Sequence, residues 1–197
     1  MTSYASVAEL KTYINDLTGG VQTTFTAGED ALLQVFLDEA TSEIVSMTGR
    51  WFISALMTRA YERDAVTGQT LYLDADFLSF AGDADDIVNG DGANIPTSGV
   101  TLLPQSNICK SSIRLKAGYS WQFSTDGVIR ITGNWGFSAS PPADIKRLTK
   151  RLAYFYWIKR TATGEATVLN ETTTTGAAEY PADIMSVLRR YRRGVIR

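Results

Sequence analysis

The sequence contains no histidine and only one cysteine, Cys109. Histidine is the commonest general base and the commonest protein ligand of metals. Its absence excludes serine triads, Cys-His dyads and zinc sites of the usual composition. A single cysteine excludes an internal disulfide, and a lone cysteine is more often a small core residue than a nucleophile. An enzyme remains possible through carboxylates, lysine or arginine, but the expectation falls, and we predict no catalytic residue, no cofactor, no metal site and no enzymatic activity.

Long apolar runs and a targeting segment are also lacking. The apolar runs extend over only a few residues, so no transmembrane helix is predicted. The first ten residues, MTSYASVAEL, lack the basic and apolar regions of a signal peptide. With 44% hydrophobic and 20% charged residues, the 197-residue chain suits one soluble domain, or one domain with an insertion. We expect a protein of a reducing cytoplasm with no membrane partner.

Charge is distributed unevenly along the chain, although the net charge is only −2. Residues 1–143 carry 8 basic and 16 acidic side chains, whereas residues 144–197 carry 11 basic and 5 acidic ones. This polarity suits head-to-tail or layered contacts between charged surfaces.

Two amphipathic helices are predicted at the start of the chain. Ser6 and Glu9 have the spacing of a capping box, and Thr26 and Glu29 repeat it. Apolar residues at helical spacing follow each box, and they predict helices from about residue 7 to 17 and over about 28–48. Gly49 is well placed to end the second helix. The short connection favours an antiparallel pair.

Five strands are predicted between residues 55 and 132, where the apolar period changes from 3.6 toward 2. They cover residues 56–64, 70–73, 100–103, 112–116 and 128–132. A tight turn at Val66, Thr67 and Gly68 predicts a hairpin between the first two strands. Antiparallel strands placed between helical segments indicate an α+β fold, in which a β region is inserted into a helical bundle.

The loop at residues 81–96 is acidic, with Asp83, Asp85, Asp86 and Asp91. It lacks the later glutamate and the flanking helices of an EF-hand. A hydrolase that uses a pair of these carboxylates is an alternative, but no rigid element positions them. We predict a mobile surface loop that binds no metal.

The longest helix is predicted to follow a Trp-Gly turn and a proline pair. Gly133 and Gly136 interrupt the strand pattern around Trp135. Ser140, followed by two prolines, is typical of a helix start, and helical spacing continues from Ala143. Trp51 and Phe52 are expected to close one end of the helical core. The predicted core comprises Leu33, Phe36, Leu37, Ile44, Trp51, Leu148, Leu152, Phe155 and Tyr156.

The C-terminal region combines a polar stretch with a short basic helix. Residues 161–179 have no apolar period and predict a flexible linker. A short helix on such an arm buries too little surface to be stable alone, so we expect it to dock. Its apolar face would enter a groove, and its arginines would meet carboxylates or phosphates. The predicted partner-binding residues are Ile184, Val187, Leu188, Arg189, Arg190, Tyr191, Arg192 and Arg193.

Three features together resemble the head–tail connector, or adaptor, proteins of tailed double-stranded DNA bacteriophages. The first is ITGNWGFSASPPADIK at residues 131–146, a strand that leads through Trp-Gly and Pro-Pro into a long helix. The second is the T-G-R-x-F pattern at residues 48–52, directly after a helix. The third is the C-terminal arm with its basic helix. The order of these features along nearly the whole chain carries the resemblance.

The resemblance implies a structural protein without catalysis, located in the virion neck after assembly in the host cytoplasm. Such proteins form a ring, typically of twelve copies, beneath the portal protein. The ring extends the channel for genomic double-stranded DNA and contacts stopper or tail-completion proteins. The expected division is N-terminal helices at 1–53, a β region at 54–139, the main helix at 140–163, and an arm with the basic helix at 164–197. The C-terminal helix would engage the portal.

A nucleic-acid-binding regulator is the alternative of a different class. Five arginines in the last nine residues would meet the electrostatic requirement for phosphate contacts. The acidic pI of about 5.2 and the lack of a helix-turn-helix or zinc-finger pattern argue against it.

Overall fold

The computed structural model describes residues 2–20, 24–124, 127–165 and 182–193. The chain forms two compact units. The helical unit consists of Met1–Arg50 and Pro141–Arg197, and the sheet unit consists of Trp51–Ser140. Among the described residues, no helix combines the length and the hydropathy that crossing a membrane requires.

The helical unit contains four helices within the described residues: α1 (Val7–Leu17), α2 (Ala27–Thr48), α3 (Ala143–Glu165) and α4 (Ala182–Tyr191). Both predicted capping boxes are formed, at Ser6 and at Thr26. Gly49 ends α2 with a φ of 65°, a left-handed conformation that glycine adopts without a steric penalty. The first two predicted helices are confirmed almost to the residue.

The core of the helical unit lies between α1, α2 and α3, which pack against one another. Two buried threonines inside it are satisfied locally, since the hydroxyls of Thr48 and Thr149 donate to the carbonyls of Ile44 and Ile145 one turn earlier. Its fully or almost fully buried side chains include Leu10, Ile14, Leu33, Leu37, Ile44, Ile145, Leu148 and Leu152.

Three details of the helical prediction are wrong. Phe155 and Tyr156 are only half-buried on α3. Trp51 is 42% exposed and belongs to the sheet unit, where Phe52 packs against Phe137 with ring centroids 5.4 Å apart. The main helix starts directly after the proline pair, as the helical spacing from Ala143 predicted, and its first hydrogen bond runs from the Lys146 N–H to the Pro142 carbonyl.

The helix α3 also continues to Glu165, so the predicted linker begins later than residue 161. The rest of that predicted linker, residues 166–179, lies outside the described residues. The proposed flexibility of this stretch therefore stays a prediction.

The sheet unit is built on one antiparallel sheet with seven strands among the described residues. The central order is β1-β7-β3-β6-β5, with β2 paired to β3 and β4 paired to β7. The strands are β1 (Ala55–Tyr61), β2 (Val66–Thr67), β3 (Thr70–Phe80), β4 (Ile87–Val88), β5 (Val100–Leu103), β6 (Lys110–Leu115) and β7 (Ile129–Trp135). The predicted α+β class is confirmed.

The core of the sheet unit is centred on Trp135. Its indole N–H donates to the Met57 carbonyl at 3.0 Å, and its ring packs edge-on against Phe77 with centroids 4.8 Å apart. Ile129 and Ile131 precede it on the same face of β7, and all three are fully buried. The Trp-Gly motif is thus a packing element of this core.

The pairing of the first long strands differs from the prediction. β1 pairs with β7 along its whole length, from Ala55 opposite Trp135 to Tyr61 opposite Ile129. The turn at Gly68 joins β2, rather than β1, to β3. The predicted hairpin between the first two long strands is therefore wrong. A turn pattern in the sequence shows where the chain bends, but it does not show which strands pair on either side of the bend.

Candidate partner-binding surface

The C-terminal helix α4 packs against α2 and α3 of its own unit. Its apolar residues recur at helical spacing, and Ile184 and Leu188 are only 1% and 3% exposed. Val187 is half-buried. The structure therefore brings the predicted apolar stripe together, but it covers that stripe within the same chain.

Tyr191 connects the end of α4 to the first turn of α3. Its Oη lies 2.8 Å from both carboxylate oxygens of Asp144 and donates to that carboxylate. Burial, the hydrogen bond and the charge of Asp144 all raise the pKa of Tyr191 above its ordinary value. The guanidinium of Arg190 also approaches Asp144, at 3.5 Å. Asp144 thus holds two of the predicted partner-binding residues.

Arg193 fixes the chain that leaves α4 at the C-terminal end of α2. Its backbone N–H donates to the Thr48 carbonyl at 2.9 Å. That carbonyl belongs to the last turn of α2, where carbonyl groups have no partner inside the helix. Main-chain capping thus holds Arg192 and Arg193 on the helical unit.

The remaining arginines face outward. Arg189, Arg190 and Arg192 are exposed, and the side chain of Arg190 is 66% accessible. In the described part of the chain, no carboxylate lies within ion-pair distance of Arg189 or Arg192. Positive charge in the last turn of α4 is favourable because the C-terminal end of a helix carries a partial negative charge. The side chains of Arg189 and Arg192 are therefore available for a partner.

A second surface of the helical unit is acidic, and it was not predicted from the sequence. An open groove of about 700 Å³ runs along the outer face of α2 and is bordered by Tyr156 of α3. Its lining residues on α2 include Val35, Asp38, Glu39 and Glu43. The signal was present, since these positions share the helix face opposite the buried stripe. Val35, at 49% exposed, adds apolar surface to that face.

The acidic loop of the sheet unit is only in part the surface feature that was predicted, because one of its four acids is buried. Ile87 and Val88 form strand β4 on β7, and Asp86 is fully buried. Its Oδ2 accepts hydrogen bonds from the backbone N–H groups of Gly82 and Asp83, at 2.8 and 3.2 Å. Asp86 therefore organises the backbone of this segment.

The other three acids of the loop, Asp83, Asp85 and Asp91, are exposed. Across residues 2–20, 24–124, 127–165 and 182–193, no group of three or more Cys, Asp or Glu side chains is arranged to hold a metal ion. The absence of a metal site stays a prediction, which calcium titration can test.

No protein-family model matches the chain, and no curated protein matches it in sequence. Solved structures do match. A chain in the neck of the empty gene transfer agent (GTA) particle, determined with C6 symmetry, is 21% identical with a TM-score of 0.65. That comparison covers 98% of this chain and 92% of the other.

Two further structures share the fold. A chain in the virion of the native gene transfer agent particle is 23% identical with a TM-score of 0.66, and the coverage is 98% of this chain and 92% of that one. A chain in the neck of the native GTA particle, with C12 symmetry, is 20% identical with a TM-score of 0.59, covering 100% and 96%. At these identities the similarity establishes a common fold across both units.

Proposed function

We propose that this chain is a structural connector of the neck of a tailed phage or phage-like particle. It forms a ring, of twelve copies, that lies below the portal and extends the channel for double-stranded DNA. The ring joins the head to stopper or tail-completion proteins. One observation carries the proposal: over 98–100% of its length the chain shares its fold with chains of GTA neck and virion structures.

Three further observations support it. The neck structures that share the fold have C6 and C12 symmetry, which is what a ring of identical subunits requires. The sequence resembles the connector family in the T-G-R-x-F, Trp-Gly and Pro-Pro features. The chain has no histidine, in keeping with a role that needs no general base.

The role of α4 is narrower in this proposal than the sequence alone suggested. Docking of Ile184, Val187 and Leu188 into another protein would require α4 to leave α2 and α3, because Ile184 and Leu188 are buried there. The exposed arginines need no such rearrangement. We therefore assign Arg189, Arg190 and Arg192 to contacts with a protein partner.

Inactivation of the gene in the genome that encodes it tests the proposed function. We expect lysates of the mutant to contain heads filled with DNA that lack tails, because a missing connector leaves the tail without an attachment site. Electron microscopy of purified particles measures the ratio of tailless to tailed particles. A copy of the wild-type gene supplied in trans should restore tailed particles.

Labelling provides a second readout. An antibody against the chain should mark one vertex of each tailless or disrupted particle, where the neck lies. Normal tailed particles from the inactivated gene, or labelling spread over the whole capsid, would refute a neck function.

A further inference from the structure

We propose that the acidic groove on α2 binds the exposed arginines of α4 from a neighbouring copy of the same chain. This inference rests on the proposed ring and assigns the contact that would build it. The groove residues in question are Glu39 and Glu43, with Asp38 beside them, and the arginines are Arg189 and Arg192.

The chemistry of the groove suits a cation on an apolar stem. Glu39 and Glu43 are one turn apart on the same face of α2. In the part of the chain that the structure describes, neither has a basic side chain within 4 Å. Asp38, by contrast, already accepts hydrogen bonds from Ser3 and Gln34. Val35 and Tyr156 provide apolar and aromatic surface on which the stem and plane of an arginine can lie.

The arginines provide the complementary side. Arg189 and Arg192 are exposed at the end of α4, and the packing of Ile184 and Leu188 holds that helix on its unit. Because the helix is already in place, an incoming groove need not order a flexible arm, which lowers the entropic cost of binding. The groove is open to solvent, so an arginine of another copy can reach it without a rearrangement of the unit.

A second copy is the occupant that these observations favour. Each chain carries both surfaces, one acidic and one basic, and the described ion pairs do not join them within one chain. A contact between two different patches of identical subunits is head-to-tail, and head-to-tail contacts close into rings when the rotation permits. Nucleic acid is an unsuitable occupant, because carboxylates repel phosphates.

Charge reversal tests the contact. The groove variant carries Glu39→Arg with Glu43→Arg, and the α4 variant carries Arg189→Glu with Arg192→Glu. In each variant alone, groove and α4 have the same charge sign. We expect self-association to weaken about tenfold or more, measured by sedimentation velocity at low salt over a range of concentrations.

A mixture of the two variants provides the decisive comparison. In an alternating ring, the basic groove of the groove variant contacts the acidic α4 of the α4 variant. The native acidic groove of the α4 variant contacts the native basic α4 of the groove variant. Every contact is then again between opposite charges. An equimolar mixture should recover the association of the wild type. The quadruple variant, in which both surfaces are reversed, should also recover it.

The controls separate folding from contact. Asp83→Arg with Asp85→Arg makes the same charge change at exposed sites of the sheet unit, and should leave association unchanged. Glutamate in the last turn of α4 is unfavourable for the helix itself. Arg189→Gln with Arg192→Gln therefore serves as a milder variant. It should also weaken association, with an unchanged circular dichroism spectrum.

Three outcomes overturn the inference, and they are distinguishable from failure of the proposed function. Variants that associate like the wild type, a mixture that does not recover, or a wild-type chain that stays monomeric at all concentrations would each exclude this contact. If the α4 variant lost incorporation into particles while its self-association stayed normal, the arginines would belong to another neck protein, and the connector role would stand.

Discussion

Tyr191 of α4 donates its hydroxyl hydrogen to Asp144 at the start of α3, with Oη 2.8 Å from each carboxylate oxygen. The two residues are 47 positions apart in sequence. Together with the burial of Ile184 and Leu188, this bond attaches the last described helix to the unit. The arginines beside Tyr191 are thereby presented from a fixed position.

Replacement of the hydroxyl tests this attachment. Tyr191→Phe removes the donor and should weaken docking of α4 by about 0.5–1.5 kcal/mol, the usual net value of one hydrogen bond. Hydrogen exchange of the amides of α4, followed by mass spectrometry, should become faster, while exchange in α2 changes little. Tyr72→Phe is the matched control, because Tyr72 lies in the sheet unit and is 42% exposed. Equal exchange of α4 in both variants would contradict the expectation.

Tyr61 should make stability depend on alkaline pH. Burial, the hydrogen bond that its hydroxyl donates to Asp74 at 2.7 Å, and the charge of Asp74 raise the pKa of Tyr61 far above its ordinary value. Because the pKa of Tyr61 is higher in the folded state, Tyr61 contributes to the free energy of unfolding. That contribution is complete below about pH 10, where an unfolded tyrosine titrates, and it declines as the pH rises further. Urea midpoints should therefore fall more steeply above pH 10 for the wild type than for Tyr61→Phe. Parallel curves would show that Tyr61 contributes nothing.

Gly136 of the Trp-Gly motif should tolerate no side chain. Its φ is +144°, and an added Cβ would lie 2.7 Å from the Ser54 Cα and 2.8 Å from the Ile53 carbonyl oxygen. Gly136→Ala should destabilise the sheet unit by more than about 1 kcal/mol, because backbone strain and a backbone clash combine. Gly28→Ala in the first turn of α2 is the control, since its Cβ would meet no atom closer than 4.0 Å. Equal thermal midpoints for the two variants would refute the argument.

Truncations on α3 should separate core from surface. Leu152 is 1% exposed, and Leu152→Ala should reduce the free energy of unfolding by about 2–5 kcal/mol. Phe155 is half-buried, with the Lys159 ammonium 4.4 Å from its ring centroid. Phe155→Ala should cost less than the ~3–5 kcal/mol that a fully buried phenylalanine predicts. Chemical denaturation of both variants gives the two values, and a larger loss for Phe155→Ala would reverse the assignment.

Asp86 should act on folding and not on metal binding. Asp86→Ala leaves the N–H groups of Gly82 and Asp83 without their acceptor, at an expected cost of about 1–3 kcal/mol. The loss should be the same with and without calcium, and isothermal titration of the wild type should show no stoichiometric calcium binding. Asp85→Ala, at an exposed neighbouring position, serves as the control and should change the midpoint little. A calcium-dependent midpoint in the wild type would establish a cation site and contradict the prediction.

Local interactions were readily predicted from the sequence. The capping boxes at Ser6 and Thr26 and the left-handed Gly49 each depend on residues within one helical turn. For that reason their positions are visible in the pattern of residue types. The apolar stripe of α4 was predicted for the same reason.

Interactions between distant segments were not predicted. The pairing of β1 with β7 joins residues such as Ala55 and Trp135, which are 80 positions apart, and no local pattern encodes that choice. The burial of Asp86 depends on the pairing of β4 with β7. A strand of two residues is too short to leave a recognisable pattern in the sequence. The groove on α2 was not predicted, because the apolar stripe identifies only the buried face of the helix. It gives no information about a surface formed on the opposite face.

The helical unit is assembled from two stretches of chain, with Trp51–Ser140 between them. During synthesis, α1 and α2 emerge first, but α3 follows only after about ninety more residues. At ~5–20 residues per second, that interval is about 5–20 s. For those seconds the apolar faces of α1 and α2 lack their main partner on the ribosome, and the whole sheet unit is made before α3 emerges. The order of translation therefore favours a nascent chain whose inserted unit folds before the unit that surrounds it in sequence, and chaperones would find their binding site on α1 and α2.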